Sequence, residues 1–168
     1  REKEKAIIQL DPDEVVTLLD HIENYGNQLS GVQLYHYNKQ KYRDLAIVTL
    51  LLGTGVRVSE CVGLNISDID FKNNGIRILR KGGNEMVVYF GEEVEKALKD
   101  YLDLSRNGIT PLAGHEDALF LSGQRKRISV DAVEKMVKKY CSAVSVKTIT
   151  PHKLRSTYGT ALYRETGD

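Results

Sequence analysis

Residues 69–90 read IDFKNNGIRILRKGGNEMVVYF, and in this stretch the apolar residues leave helical spacing. Three short apolar runs, at 69–71, 75–79 and 86–90, are separated by the turn sequences NNG (73–75) and GGN (82–84). Turns rich in glycine and asparagine between short runs of β-branched and aromatic residues are typical of hairpins. The stretch therefore predicts a small three-stranded antiparallel sheet.

The sequence on both sides of this sheet has the spacing of amphipathic helices. The pattern predicts helices over about 11–26, 40–52, 58–63, 94–102, 129–140 and 151–165. Asp11 and Ser129 are placed as N-caps, and residues 27–38, which are polar and contain glycine, are predicted to form a loop. The predicted fold class is mostly α with a small antiparallel sheet (α+β), in one domain over residues 1–168.

The composition is that of an ordinary soluble domain, with 41% hydrophobic and 28% charged residues. No apolar run approaches the roughly 20 residues that cross a bilayer, so we expect a cytoplasmic protein without membrane contact. Cys61 and Cys141 are isolated in apolar helical patterns. They predict reduced core thiols rather than a disulfide or a metal site.

The charge is unevenly distributed although the net charge is only +1. Residues 121–168 hold ten Lys/Arg against four Asp/Glu, while the remainder holds fourteen against nineteen. Such a basic section can bind a polyanion. Solvated helix faces explain the same counts equally well, so charge alone leaves both interpretations open.

Arg57 follows two glycines at the end of an apolar run, in the segment TGVRVSE (54–60). We expect it to be half-buried, and a buried guanidinium requires a partner because desolvating its charge is costly. That partner is either Glu60, one helical turn away, or an anion that the protein binds.

Two further basic positions suggest chemistry. Lys81 lies at the predicted hairpin tip, where an ammonium is either simply exposed or carried into a groove of a polyanion. His152 and Arg155, in PHKLR (151–155), share one face at the start of the last predicted helix. A helix N-terminus with these two side chains has the outline of a phosphate site.

Other catalytic signals are missing from the sequence. It contains no HExxH, CxxC or phosphate-binding GxxxxGK[ST] motif, so we predict neither a metal nor another cofactor. His21, His36 and His115 are interpreted as structural or solvated.

The segments TGVRVSE, RKGGNE and TPHKLRSTYGTAL, in this order, resemble the catalytic domain of tyrosine recombinases, the phage integrase family. The resemblance covers nearly the whole chain and favours an integrase of a phage or conjugative transposon. It implies that Arg57 and Arg155 bind the scissile phosphate of double-stranded DNA. It also implies that Lys81 protonates the leaving 5′ oxygen and that His152 assists proton transfer at the nucleophile.

The resemblance further implies DNA contacts around the start of the helix near Ser129, although a solvated basic face remains the alternative. The candidates are Arg125, Lys126, Arg127, Lys135 and Lys138, with Lys139 beside them.

The chain departs from the family pattern at its ends. The family's nucleophilic tyrosine lies well beyond the second arginine, whereas this chain stops thirteen residues after Arg155. We therefore expect a truncated catalytic domain that lacks the nucleophile and the N-terminal DNA-clamping domain, and that is inactive alone. Tyr158 and Tyr163 are interpreted as packing residues. The resemblance implies a parent that is tetrameric on DNA, and we expect the fragment to be monomeric.

Two other interpretations remain at this point. One is a non-enzymatic DNA-binding or architectural domain of the same fold, and the other is an unrelated globular domain with an accidental motif match.

Overall fold

The computed structural model describes residues 12–142. Its α-helices are α1 (Pro12–Asn24), α2 (Gly31–Thr54), α3 (Val58–Val62), α4 (Glu92–Leu104) and α5 (Val130–Cys141). Its strands are β1 (Ile69–Asp70), β2 (Gly75–Leu79) and β3 (Glu85–Tyr89). The predicted helix over 151–165 and the predicted cap at Asp11 lie outside the described residues.

The three strands form one antiparallel sheet in the order β1-β2-β3, as the turn sequences predict. Ile69 lies opposite Ile76, and Gly75 lies opposite Tyr89. Ile76 and Ile78 are buried, while Arg77 between them is exposed, because successive side chains of a strand point to opposite faces. The predicted fold class, mostly helical with a small antiparallel sheet, is thus confirmed.

Helix α2 is the centre of the core. Ala46, Ile47, Leu50 and Leu51 are all fully buried along its second half, which packs between α1 and α4. Gly53, inside this helix, allows close approach to α4, because a Cβ there would collide with Cγ2 of Val94. The helix ends at Thr54, and the next residue, Gly55, adopts the left-handed conformation (φ 70°) that glycine favours.

The prediction of a loop over residues 27–38 is wrong for most of that range, because α2 already begins at Gly31. The polar first turns of α2 contain one buried residue, Tyr37. The hydroxyl of Tyr37 donates to the carbonyls of Ile22 and Glu23, both at 2.6 Å. These carbonyls belong to the last turn of α1, which leaves carbonyl groups without helical partners. Polar residues elsewhere in 31–40 form the solvated face of a long helix, including His36.

The remaining local predictions can be checked within residues 12–142. Ser129 caps α5, since its Oγ accepts a hydrogen bond from the Ala132 amide at 3.1 Å. Cys61 and Cys141 are buried free thiols, and burial raises the pKa of each to about 12. No helix in this part of the chain has the length and apolar character needed to span a bilayer.

Candidate functional site

Arg57 lies at the N-cap position of α3, in the turn that follows α2. Val56 is completely buried in that turn, and Arg57 is exposed. The expectation of a half-buried arginine is therefore wrong. Because Val56 takes the core position of this tight turn, the next side chain is directed towards solvent.

Glu60 serves two partners at this turn. Its Oε1 accepts a hydrogen bond from the main-chain N–H of Arg57 at 2.9 Å. Its Oε2 lies 2.9 Å from Nε of Arg80, a contact that is an ion pair rather than a well-aligned hydrogen bond. The Glu60 side chain is only 7% exposed. The carboxylate thus binds the Arg57 backbone and the Arg80 side chain, which leaves the Arg57 guanidinium available for another anion.

Lys81 is exposed in the short turn Lys81–Gly83 between β2 and β3, as predicted for a hairpin tip. Gly82 and Gly83 have φ of 85° and 83°, values that side-chain-bearing residues rarely adopt. The amide of Arg80 donates to the carbonyl of Asn84 at 2.6 Å and closes the turn.

The contact between Glu60 and Arg80 therefore joins the hairpin tip to the start of α3. It places the segments that carry Arg57 and Lys81 side by side, although they are distant in sequence. Arg80 was not among the site residues predicted from the sequence. Two features of the sequence could have predicted its role. Arg80 is next to the hairpin lysine, and Glu60, on the helix that follows Arg57, is a carboxylate that can pair with it. His152 and Arg155 lie outside the described residues.

The candidate DNA-binding residues fall into two groups. Arg125 and Lys126 are exposed in a turn before α5, and Nη1 of Arg125 donates to the carbonyl of Thr110 at 3.0 Å. On α5, Lys138 is exposed, and Lys135 lies 3.1 Å from Asp131 as an exposed ion pair.

Lys139, beside this group, packs over aromatic rings. Its Nζ lies 5.2 Å from the ring centre of Tyr25 and 4.7 Å from that of Tyr140. Such cation–π contacts stabilise the packing of α5 against the end of α1.

Arg127 has an internal role that the sequence analysis did not predict. Its Nη1 donates to the carbonyls of Val62 and Leu64 at 3.0 and 2.9 Å, and its Nη2 donates to Oδ1 of Asn65 at 2.6 Å. Its amide donates to Nδ1 of His115 at 3.0 Å, which gives His115 a structural role. The Arg127 guanidinium thus fastens the segment before α5 to the end of α3.

Arg43 and Asp44, both on α2, form a buried charged cluster. Arg43 donates to Oδ1 of Asp44 through Nε (3.0 Å) and Nη2 (2.8 Å), and through Nη1 to the carbonyl of Leu121 (3.2 Å). The hydroxyl of Tyr140 lies 3.2 Å from Oδ2 of Asp44. Burial raises the pKa of Asp44, an effect that the Arg43 charge opposes. Burial and the nearby Asp44 carboxylate raise the pKa of Tyr140. The cluster ties α2 to α5 and to the segment at Leu121.

Comparisons with known proteins agree on one group of proteins. The family model described as "Phage integrase family" matches residues 9–168. The tyrosine recombinase XerS of Streptococcus agalactiae (serotype III, strain NEM316) is 43% identical over 159 residues, which make up 92% of this chain and 44% of that protein. The chain spans less than half the length of the curated relatives it matches.

Solved structures show the same similarity in three dimensions. The crystal structure of XerA recombinase superposes with a TM-score of 0.76 at 32% identity, over 96% of this chain and 52% of the other. The Tn1549 transposon integrase, solved in complex with circular intermediate DNA, has a TM-score of 0.67 at 28% identity, over 96% of this chain and 54% of the other.

Proposed function

The chain belongs to the phage integrase family of tyrosine recombinases, and we propose that it supplies most of a DNA-cleaving and DNA-rejoining site within a longer recombinase. One observation carries this proposal. Through Glu60, the fold joins the Arg57 turn to the Arg80–Lys81 hairpin, so that two separate cationic groups approach one region.

Arg57 is suited to hold a phosphate in this region. Its guanidinium is exposed beside a carboxylate that is already occupied by the Arg57 main chain and by Arg80. A planar guanidinium binds two phosphate oxygens at once. We assign the non-bridging oxygens of the scissile phosphate to Arg57 and Arg155, with His152 assisting proton transfer. Phosphoryl transfer depends mainly on positioning and on neutralising this charge, which two arginines supply.

Lys81 is the proposed general acid for the leaving 5′ oxygen. It lies on a turn with two left-handed glycines, and its side chain is exposed. An exposed ammonium on such a hairpin can reach into a DNA groove when DNA binds, and there it can donate a proton to the leaving oxygen.

Four of the described tyrosines are packed into the fold and are poorly placed to act as the nucleophile. The hydroxyls of Tyr37, Tyr101 and Tyr140 are buried and bonded to groups of the core. Tyr25 is packed in ring contacts with His21, Tyr37 and Tyr140. We propose that the nucleophilic tyrosine lies outside these 168 residues.

We predict that the 168-residue chain forms no covalent adduct with a nicked suicide duplex, as measured by denaturing electrophoresis. An adduct would contradict this assignment.

The proposed partner is double-stranded DNA, which would place the protein in the bacterial cytoplasm. The exposed candidates for phosphate contacts on and before α5 are Arg125, Lys126, Lys135 and Lys138. Arg127 is the weakest candidate, because its guanidinium already makes three internal hydrogen bonds. We also propose that the chain is monomeric in isolation and that a longer parent assembles as a tetramer on DNA.

A chimaera tests the proposed function. Residues 9–168 replace the matching segment of the S. agalactiae recombinase, and recombination between two of that enzyme's target sites is measured on a plasmid. We expect recombination by the chimaera, a loss on the order of 10³–10⁵ for Arg57→Ala and a loss of roughly 10²–10⁴ for Lys81→Ala. Lys72→Gln, in the turn at the opposite end of the sheet, is the matched control with an equal loss of charge. A folded chimaera in which Arg57→Ala recombines as well as its parent would contradict the proposal.

A further inference from the structure

A cleft of about 890 Å³ lies away from the Arg57 turn. One wall is the first half of α2, the second is the end of α4 with the turn after it, and the third is the turn at 121–125. The side chains that matter below are Tyr35, Lys39, Arg43, Thr110 and Arg125.

Among the described residues, the cleft is lined by basic groups and by no carboxylate. Lys39, Arg43 and Arg125 line it, together with neutral polar and apolar residues. The charge of Arg43 is balanced by Asp44, which is buried behind it at 2.8 Å. Within residues 12–142, neither Lys39 nor Arg125 has a carboxylate partner within 4 Å, since Lys39 contacts the Tyr35 hydroxyl (3.3 Å) and Arg125 the Thr110 carbonyl (3.0 Å). Two cations without a carboxylate partner among these residues therefore line an open space with both polar and apolar walls.

Arg125 has an unusual backbone conformation. Its φ is 66°, in the left-handed region, at the end of a turn closed by its own amide on the Ser122 carbonyl at 3.0 Å. Glycine is the favoured residue at this position of a short hairpin turn, and another residue costs about 1–2 kcal/mol there. An arginine at a position that favours glycine indicates a functional role for its side chain. The side chain donates to the Thr110 carbonyl, and both residues line the cleft.

We propose that this cleft holds the sugar–phosphate backbone of duplex DNA, with Lys39 and Arg125 neutralising phosphates. The inference rests on the proposed function and extends its DNA-binding surface from the α5 side, through Arg125 and Lys126, to the first half of α2. DNA fits because both free cations lie at an open groove, and because the exposed Lys126 continues the basic surface from Arg125. An acidic protein segment is the other ligand that such a groove could hold, and the test below separates the two.

The test is fluorescence anisotropy of a labelled duplex with the full 168-residue chain, between 50 and 200 mM NaCl. The variants are Lys39→Gln, Arg125→Gly, their combination, and the control Lys72→Gln. Each phosphate contact contributes nearly one unit to the slope of log K against log salt. We expect the slope to fall by about 1 in each cleft variant and by about 2 in the combination, and to stay within error in the control. Arg125→Gly should keep or raise the thermal midpoint, because glycine accepts the left-handed conformation.

The outcomes distinguish this inference from the proposed function. If Arg57→Ala weakens DNA binding while the double cleft variant keeps the wild-type slope, the cleft is not a DNA site and the proposed function stands. If the wild-type chain binds no duplex at low salt, the cleft inference is wrong, and recombination by the chimaera decides the proposed function separately. If the cleft variants lose binding of a polyglutamate peptide but not of the duplex, the groove takes an acidic segment and the DNA assignment is overturned.

Discussion

Glu60 divides its two carboxylate oxygens between two separate parts of the fold. Oε1 holds the amide that begins α3, and Oε2 holds the arginine beside the hairpin lysine. A carboxylate in the first turn of a helix is also favoured by the helix dipole. At the scale of one residue, Glu60 therefore positions both Arg57 and Lys81 while contacting neither of their charged groups.

Two substitutions separate the roles of Glu60. Glu60→Ala removes both contacts and should destabilise the chain by about 0.5–2 kcal/mol, the usual cost of a lost helix cap. Glu60→Gln keeps an acceptor for the Arg57 amide and loses only the charge opposite Arg80, so it should cost less. Urea unfolding measures both values. Equal losses in the two variants would show that the cap contributes nothing.

Arg57 itself marks the limit of prediction for a single residue. Its motif made it a site candidate by resemblance, and that role stays a prediction, whereas its burial was predicted wrongly. Burial depends on which residue of the turn packs into the core, and the sequence alone does not show that this residue is Val56 rather than Arg57. The contact of Arg80 and the internal hydrogen bonds of Arg127, which was predicted only as a DNA contact, were not foreseen because their partners lie far away in sequence, at Glu60 and at the end of α3.

At the scale of elements, the buried pair Arg43–Asp44 joins three parts of the fold. It lies on α2 and contacts the Leu121 carbonyl and the Tyr140 hydroxyl of α5. Breaking a buried pair leaves one charge uncompensated, which costs about 3–5 kcal/mol, whereas replacing both partners with apolar residues is often tolerated. Asp44→Ala should therefore destabilise the chain more than the double change Arg43→Met with Asp44→Leu. Urea unfolding decides, and a double variant less stable than Asp44→Ala would contradict this account.

The contact between α2 and α4 depends on the absence of a side chain at Gly53. Alanine is preferred to glycine inside a helix by about 1 kcal/mol, but its Cβ would collide with Val94. Valine is stiff at χ1 and cannot easily move aside, so Gly53→Ala should destabilise by about 1–3 kcal/mol.

A double-mutant cycle isolates this collision. Val94→Ala removes the colliding methyl group, so Gly53→Ala should be neutral or stabilising in that background. Thermal unfolding of the four proteins gives the coupling free energy. If Gly53→Ala costs the same with and without Val94, the helices do not meet at this point.

Elements were predictable to the extent that their signals are local. The three strands and the Ser129 cap of α5 follow from turn residues and spacing within a few positions. The first turns of α2 were missed because their only core contact, Tyr37, reaches back to the end of α1. A polar helix face and a polar loop have the same composition, and only that distant contact distinguishes them.

At the scale of the whole molecule, the fold brings the Arg57 turn and the Lys81 hairpin together across the end of the sheet. The core formed by α1, α2, α4 and α5 leaves two exposed basic regions, one at this junction and one from α5 to the cleft. The order of motifs predicted the first region through family resemblance. The cleft could not be predicted, because Lys39 and Arg125 belong to distant segments that meet only in the folded chain.

We propose that Arg57, Lys81, His152 and Arg155 surround one DNA phosphate. The most direct measurement is a crystal structure of this chain bound to duplex DNA. We expect nitrogen atoms of Arg57 and Arg155 at about 2.7–2.9 Å from oxygens of the same phosphate, with the Lys81 ammonium directed to its bridging 5′ oxygen. Arg57 and Arg155 on different phosphates, or on opposite faces of the protein, would contradict the account.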